Sequence, residues 1–145
     1  MKRLNFSIPI HAPKEKVWRT LLDDSTYRAW TSVFGEGSHV EGDWSEGSKM
    51  LFLGDTGTGI SSRIARHLPN EYLSIEHLGL VKNGVEDFDS EETKSWSGAL
   101  ENYILRENDG ITTLDIELDT AESHEHYFLN TWPKALQKVK ELAEA

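Results

Sequence analysis

An α+β fold is predicted by three observations in the 145-residue sequence. A strand is followed at once by two short helical segments; a glycine-punctuated stretch of alternating residues comes next; one amphipathic helix closes the chain. At the N-terminal end, Leu4, Phe6, Ile8 and Ile10 share one face and Asn5 and Ser7 the other, the pattern of a half-buried strand. Pro13 stands where a first helical residue would, and Val17, Trp18, Leu21 and Leu22 follow at helical spacing, which predicts a helix over Pro13–Leu22. Asp23, Asp24 and Ser25 break and recap it, so a second short helix carries Tyr27 and Trp30. The strands expected next are Ser38–Trp44, Lys49–Leu53, Gly59–His67 and Tyr72–Leu80, then Lys94–Arg106 and Ile111–Asp119 joined through the hairpin signal Asp109-Gly110. No helical period interrupts them, which favours an antiparallel sheet of six to seven strands. In the last segment Phe128, Trp132, Ala135, Leu136, Val139, Leu142 and Ala143 form one apolar stripe. Pro133 leaves two readings there: one long kinked helix, or a fresh start with Thr131 as cap.

Composition narrows the function. The chain carries 15 basic and 25 acidic side chains, a net charge of −10, which disfavours nucleic acid and anionic membrane surfaces as partners. The absence of cysteine excludes disulfides, thiolate catalysis and Cys-ligated zinc. No apolar run approaches the ~20 residues that span a bilayer. Asn5, Ser7 and Pro9 interrupt the apolar stretch behind Met1-Lys2-Arg3, so no signal-peptide core is expected. The expectation is a single cytoplasmic domain over residues 1–145, with no cofactor and no bound metal.

Three stretches carry a more specific likeness: Ile10-His11-Ala12-Pro13-Lys14-Glu15-Lys16-Val17-Trp18 running on to Trp30, Pro69-Asn70-Glu71-Tyr72-Leu73-Ser74-Ile75-Glu76-His77, and Trp132-Pro133-Lys134-Ala135-Leu136. With the element order, they resemble the START and birch-pollen-allergen superfamily, in the branch named for activators of the heat-shock chaperone ATPase. The resemblance covers essentially the whole chain. It implies the helix-grip fold, in which a curved antiparallel sheet wraps the last helix and leaves a cavity between them. It specifies function poorly, since that superfamily hosts carriers, cyclases, hydrolases and co-chaperones.

Several motifs are set aside on chemistry. Asp55-Thr56-Gly57 is the tripeptide of aspartic proteases, but those enzymes need two such carboxylates sharing a proton, and this chain has one copy in a glycine-dense hairpin turn. Glu86, Asp87, Asp89, Glu91 and Glu92 lack the spacing of a calcium loop and read as a solvated connection between strands. His124 and His126 would share a metal only on a strand.

The candidates that remain are polar residues on apolar faces. On Tyr72–Leu80, His77 shares its side with Leu73 and Ile75; it reads either as a core histidine bonded to backbone or as a residue that orients a ligand. On Lys94–Arg106, counting apolar residues turns Trp96, Leu100 and Ile104 inward and leaves Glu101 exposed. The resemblance implies the reverse, with Glu101 and Tyr103 facing in, where Glu101 needs a partner such as His77. The aromatics Trp30, Phe34, Trp44, Phe52, Trp96, Phe128 and Trp132 exceed what a compact core of this size needs and fit the lining of an apolar cavity. The expected function is binding of a small apolar or amphipathic molecule there. The alternatives are a protein-interaction or co-chaperone module, which predicts a collapsed cavity, and a cyclase- or hydrolase-type enzyme using His77 as acid or base.

Overall fold

The computed structural model describes residues 1–145. Strand β1 (Lys2–Ile10) leads into helices α1 (Lys14–Leu22) and α2 (Asp24–Thr31), and a 3-10 turn at Ser32–Phe34 ends this segment. Strands β2 (His39–Glu41), β3 (Lys49–Leu53), β4 (Gly59–Leu68), β5 (Tyr72–Lys82) and β6 (Val85–Asp87) follow. Helix α3 (Glu91–Trp96) comes next, then β7 (Ala99–Asn108), β8 (Ile111–Thr120), a 3-10 turn at Glu122–His124 and helix α4 (Glu125–Glu144).

All pairings in the eight-stranded sheet are antiparallel; its order is β1-β8-β7-β5-β4-β3-β2, with the short β6 added beside β5. The first and last strands in sequence thus sit side by side, Lys2 opposite Thr120 and Ile10 opposite Thr112. Helix α4 lies against β1, α1 and α2. It buries Trp132, Ala135, Leu136, Val139 and Ala143, the stripe expected from the 3.6-residue period. These side chains meet Leu4 and Ile10 of β1, Leu114, Ile116 and Leu118 of β8 and Val17 and Leu21 of α1 in one core cluster. Trp18 is buried and sets its ring edge-on to His67 of β4, 5.4 Å between centroids, which fastens α1 to the sheet.

One open reading closes and three expectations change. Pro133 lies inside one continuous α4, the first of the two readings, and no helix starts afresh at Thr131. Its missing N–H deprives only the Leu129 carbonyl, on an exposed turn where water can replace the bond. The second strand is trimmed to His39–Glu41, because Gly42 and Trp44 both adopt positive φ and turn the chain away from the ladder. The acidic run is not a plain connection: Val85, Glu86 and Asp87 pair with β5, and Ser90 caps α3 by accepting from the Thr93 N–H at 3.2 Å. The strand expected over Lys94–Arg106 begins only at Ala99, since Lys94–Trp96 belong to α3 and Gly98, at φ 95°, turns the chain into β7. The Gly54–Thr58 stretch is the hairpin turn expected, closed by the Gly54 N–H donating to the Thr58 carbonyl at 2.9 Å.

Candidate functional site

Because α4 and α2 cross one face of a concave sheet, the side chains between them cannot fill the whole interval. A cavity of about 510 Å³ remains, bounded by α2, the Phe34 turn, β3, β5, β7, β8, α3 and α4. Its volume is in the range of pockets that enclose small organic molecules.

Most of the expected aromatics line it. Trp30 comes from α2, Phe34 from the turn after it, Phe52 from β3, and Phe128 and Trp132 from α4. They interlock: Phe34 meets Trp132 edge-on at 5.2 Å, and Trp30 lies 6.0 Å from Trp132 and 6.4 Å from Tyr103. Trp96 also lines the cavity, but from α3 instead of a strand. Trp44 does not line it. Its ring packs behind the wall against Phe52 at 5.7 Å and Tyr27 at 5.8 Å, and its carbonyl bonds the His67 ring at 2.6 Å. Positive φ at Trp44 lifts the residue out of strand geometry, so strand alternation could not place it.

The polar wall is assembled by register. Ser62 of β4 stands opposite His77 of β5, and Ile75 two residues earlier stands opposite Glu101 of β7. His77 and Glu101 are therefore diagonal neighbours on the same face. A register shift between Ser61 and Ser62 turns Ser62 toward this face while Ser61 bonds Glu86 at 2.6 Å. The resulting chain of bonds is continuous. Ser62 Oγ lies 2.7 Å from His77 Nδ1, His77 Nε2 lies 3.0 Å from Glu101 Oε1, and the Tyr103 hydroxyl donates to Glu101 Oε2. A carboxylate has no proton to give, so in the neutral ring His77 Nε2–H must donate to Glu101, and the Ser62 hydroxyl then donates to Nδ1.

Glu101 and Tyr103 thus face inward, against the count of apolar residues. Ala99, Tyr103 and Leu105 are buried on this side, while Leu100 and Ile104 are only half-buried on the outer face. Two donors offset the desolvation of the Glu101 carboxylate, whose side chain remains 18% exposed. His77 is bonded to side chains instead of backbone and lines the cavity together with Glu101 and Tyr103. Burial, reinforced by the neighbouring Glu101 charge, holds the Tyr103 phenol protonated well above its ordinary range. The same two causes raise the Tyr27 phenol.

Tyr27 is the site residue that sequence reasoning missed. It lies three positions before Trp30 on α2, hence on the same helical face, and that spacing was the available signal. The Tyr27 hydroxyl bonds to no other group of the protein; its backbone alone is engaged, accepting from Thr31 at 2.6 Å. Glu92, Asp119 and His124 also line the cavity, brought there by α3, the end of β8 and the turn before α4. His126 instead bonds Asn130 at 3.0 Å on the outside of α4, so the His124–His126 pair does not converge.

No protein-family profile matches this chain, and no curated protein does. Solved structures match it along almost its entire length. Protein MLL2253 from Mesorhizobium loti superposes with a TM-score of 0.74 at 18% identity, covering 97% of this chain and 96% of that one. The Aha1 dimer from Colwellia psychrerythraea gives 0.73 at 20% identity, over 99% and 97%. CalU16 from Micromonospora echinospora gives 0.68 at 20% identity, over 97% and 75%. The chain has the helix-grip fold. At these identities the matches establish a shared architecture. No helix is long and apolar enough to cross a membrane.

Proposed function

We propose that this protein binds a small apolar or amphipathic molecule in the cavity between sheet and C-terminal helix. The observation that carries the reading is the pairing of an aromatic-lined space of about 510 Å³ with a single polar wall, His77–Glu101–Tyr103. Affinity comes mainly from apolar area removed from water, about 25 cal/mol per Å². The polar wall sets the orientation of the bound molecule. A pure interaction module has no use for such a space, since its aromatics would do better collapsed onto one another. An open cavity of this size therefore favours the ligand over the protein partner.

The test is native mass spectrometry of the purified protein against its denatured mass. Extra mass that leaves on unfolding supports the reading and gives the ligand's composition. A clean mass, together with no change in melting temperature across a panel of neutral polycyclic compounds, rejects it.

A further inference from the structure

Every wall of the cavity but one is tied to its neighbours. The backbone stitches three rim loops together: the Asp55 N–H donates to the Glu36 carbonyl at 3.2 Å, and the Gly84 N–H to the Gly57 carbonyl at 3.3 Å. Trp30 and Trp132 root α2 and α4 in the core. The start of α4 is tied to β1 by the Lys2–Glu125 ion pair at 2.8 Å. Helix α3 has no such tie, although Glu92 and Trp96 on it line the cavity. The hydrogen bonds of Phe88–Trp96 stay within Asp87–Ser97. Glu91, Glu92 and Lys94 form no ion pair. Trp96 is the one aromatic of the lining that meets no other ring.

The two ends of this segment are anchored, in ways that permit rotation. On the near side, β6 pairs with β5, and Glu86 fixes it further through Lys49 and Ser61, each at 2.6 Å. The Phe88 ring then rests on Gly79, where a Cβ would come within 2.5 Å of it; glycine at 79 leaves the seat for the ring. On the far side, the Ser97 hydroxyl donates to the Leu78 carbonyl and the Gly98 N–H to the His77 carbonyl, both at 2.8 Å. Gly98 has φ 95° and open space around it, so its dihedrals can change without a clash. Between the anchors α3 is a self-contained unit. Asp87 Oδ1 accepts from the Asp89 and Ser90 N–H groups at 3.0 Å each, and Ser90 caps Thr93. These caps hold together a helix too short to persist by itself.

Building on the ligand-binding reading, we propose that Phe88–Trp96 is a lid. Helix α3 swings as a unit between the Phe88 seat and Gly98, carries Trp96 out of the cavity wall to admit a ligand, and returns to cover it. A segment bonded only to itself opens at lower cost than the stitched rim or the core helices, so the passage lies here.

Ser97→Ala tests the lid, because it removes one anchor bond from an exposed residue that does not line the cavity. Losing that bond is expected to raise the open fraction about fivefold. The first readout is amide hydrogen exchange of the free protein, under conditions where the rate follows the opening equilibrium. The Gly98 amide, bonded across the seam to His77, should exchange about fivefold faster, while the Lys94 amide, bonded inside the unit to Ser90, should be unchanged. The second is stopped-flow binding of Prodan, a neutral naphthalene fluorophore. Its association and dissociation rates should both rise about fivefold with Kd within about twofold, since a lid gates passage in both directions. Phe88→Ala, which removes the other anchor, should shift both readouts in the same direction. Unchanged Gly98 exchange in both variants, or equal acceleration of Gly98 and Lys94, overturns the swinging lid whether or not Prodan binds. A changed Kd with an unchanged association rate makes α3 a fixed wall and also overturns it. Responsive Gly98 exchange without Prodan binding supports the moving segment and counts against the ligand reading alone.

Discussion

Replacing Glu101 tests the polar wall directly, because two substitutions at that position make opposite demands on it. Glu101 accepts from both Tyr103 and His77, and neither the Tyr103 hydroxyl nor His77 Nε2 makes another hydrogen bond. In Glu101→Ala both donors lose their partner, at about 1–3 kcal/mol for each buried group. Water from the adjoining cavity can reach this wall, which places the total near the low end, about 2–3 kcal/mol. In Glu101→Gln every bond can be remade. The amide oxygen accepts from Tyr103, and the amide N–H donates to His77 Nε2 once the ring carries its proton on Nδ1. That proton then goes to Ser62 Oγ, which accepts as readily as it donates. What is lost is charge assistance, and relief of carboxylate desolvation offsets it, so the net change stays within about 1 kcal/mol. Urea unfolding at constant m measures both variants, and ring 15N shifts of His77 report the tautomer. The neutral ring is expected as Nε2–H in the parent and Nδ1–H in Glu101→Gln. Equal destabilisation by Gln and Ala, or an Nδ1–H ring in the parent, would refute the bonding scheme.

Two further outcomes follow from the same region. The folded-state phenols of Tyr27 and Tyr103 are raised above the ordinary value of 10.0, so the folded protein keeps protons that the unfolded chain releases. Stability is therefore intact below about pH 10 and falls as pH rises above it, each phenol adding about 1.4 kcal/mol per pH unit to the slope; alkaline unfolding of Tyr103→Phe should show a shallower fall, and an unchanged slope would contradict the burial. Trp30 and Trp132 are each 2% exposed, but the Trp30 indole donates to the Leu21 carbonyl at 3.2 Å whereas Trp132 Nε1 has no partner. Trp30→Phe should accordingly lose about 1–2 kcal/mol more than Trp132→Phe in denaturant titrations, and the reverse order would show that the Trp30 bond contributes nothing.

Local chemistry determined most of the architecture. Alternation in β1 and β8, the proline and helical spacing of α1, the Asp109-Gly110 turn and the stripe of α4 each depend on residues a few positions apart, and each was legible in the sequence. Departures came where backbone conformation broke the period: positive φ at Gly42 and Trp44 ended β2, and Ser90 capped a helix that ran from the expected connection into the expected start of a strand. The polar wall required more. Which face of β7 turns inward was ambiguous from its own residues, since Leu100 and Ile104 weigh against Ala99 and Leu105. Only cross-strand register settled it, by setting His77 diagonal to Glu101 and letting Tyr103 supply the second donor. Tyr27 joined the wall because α2 packs over the sheet. A carboxylate is tolerated inside when donors from other strands meet it, and that meeting is a property of the folded sheet.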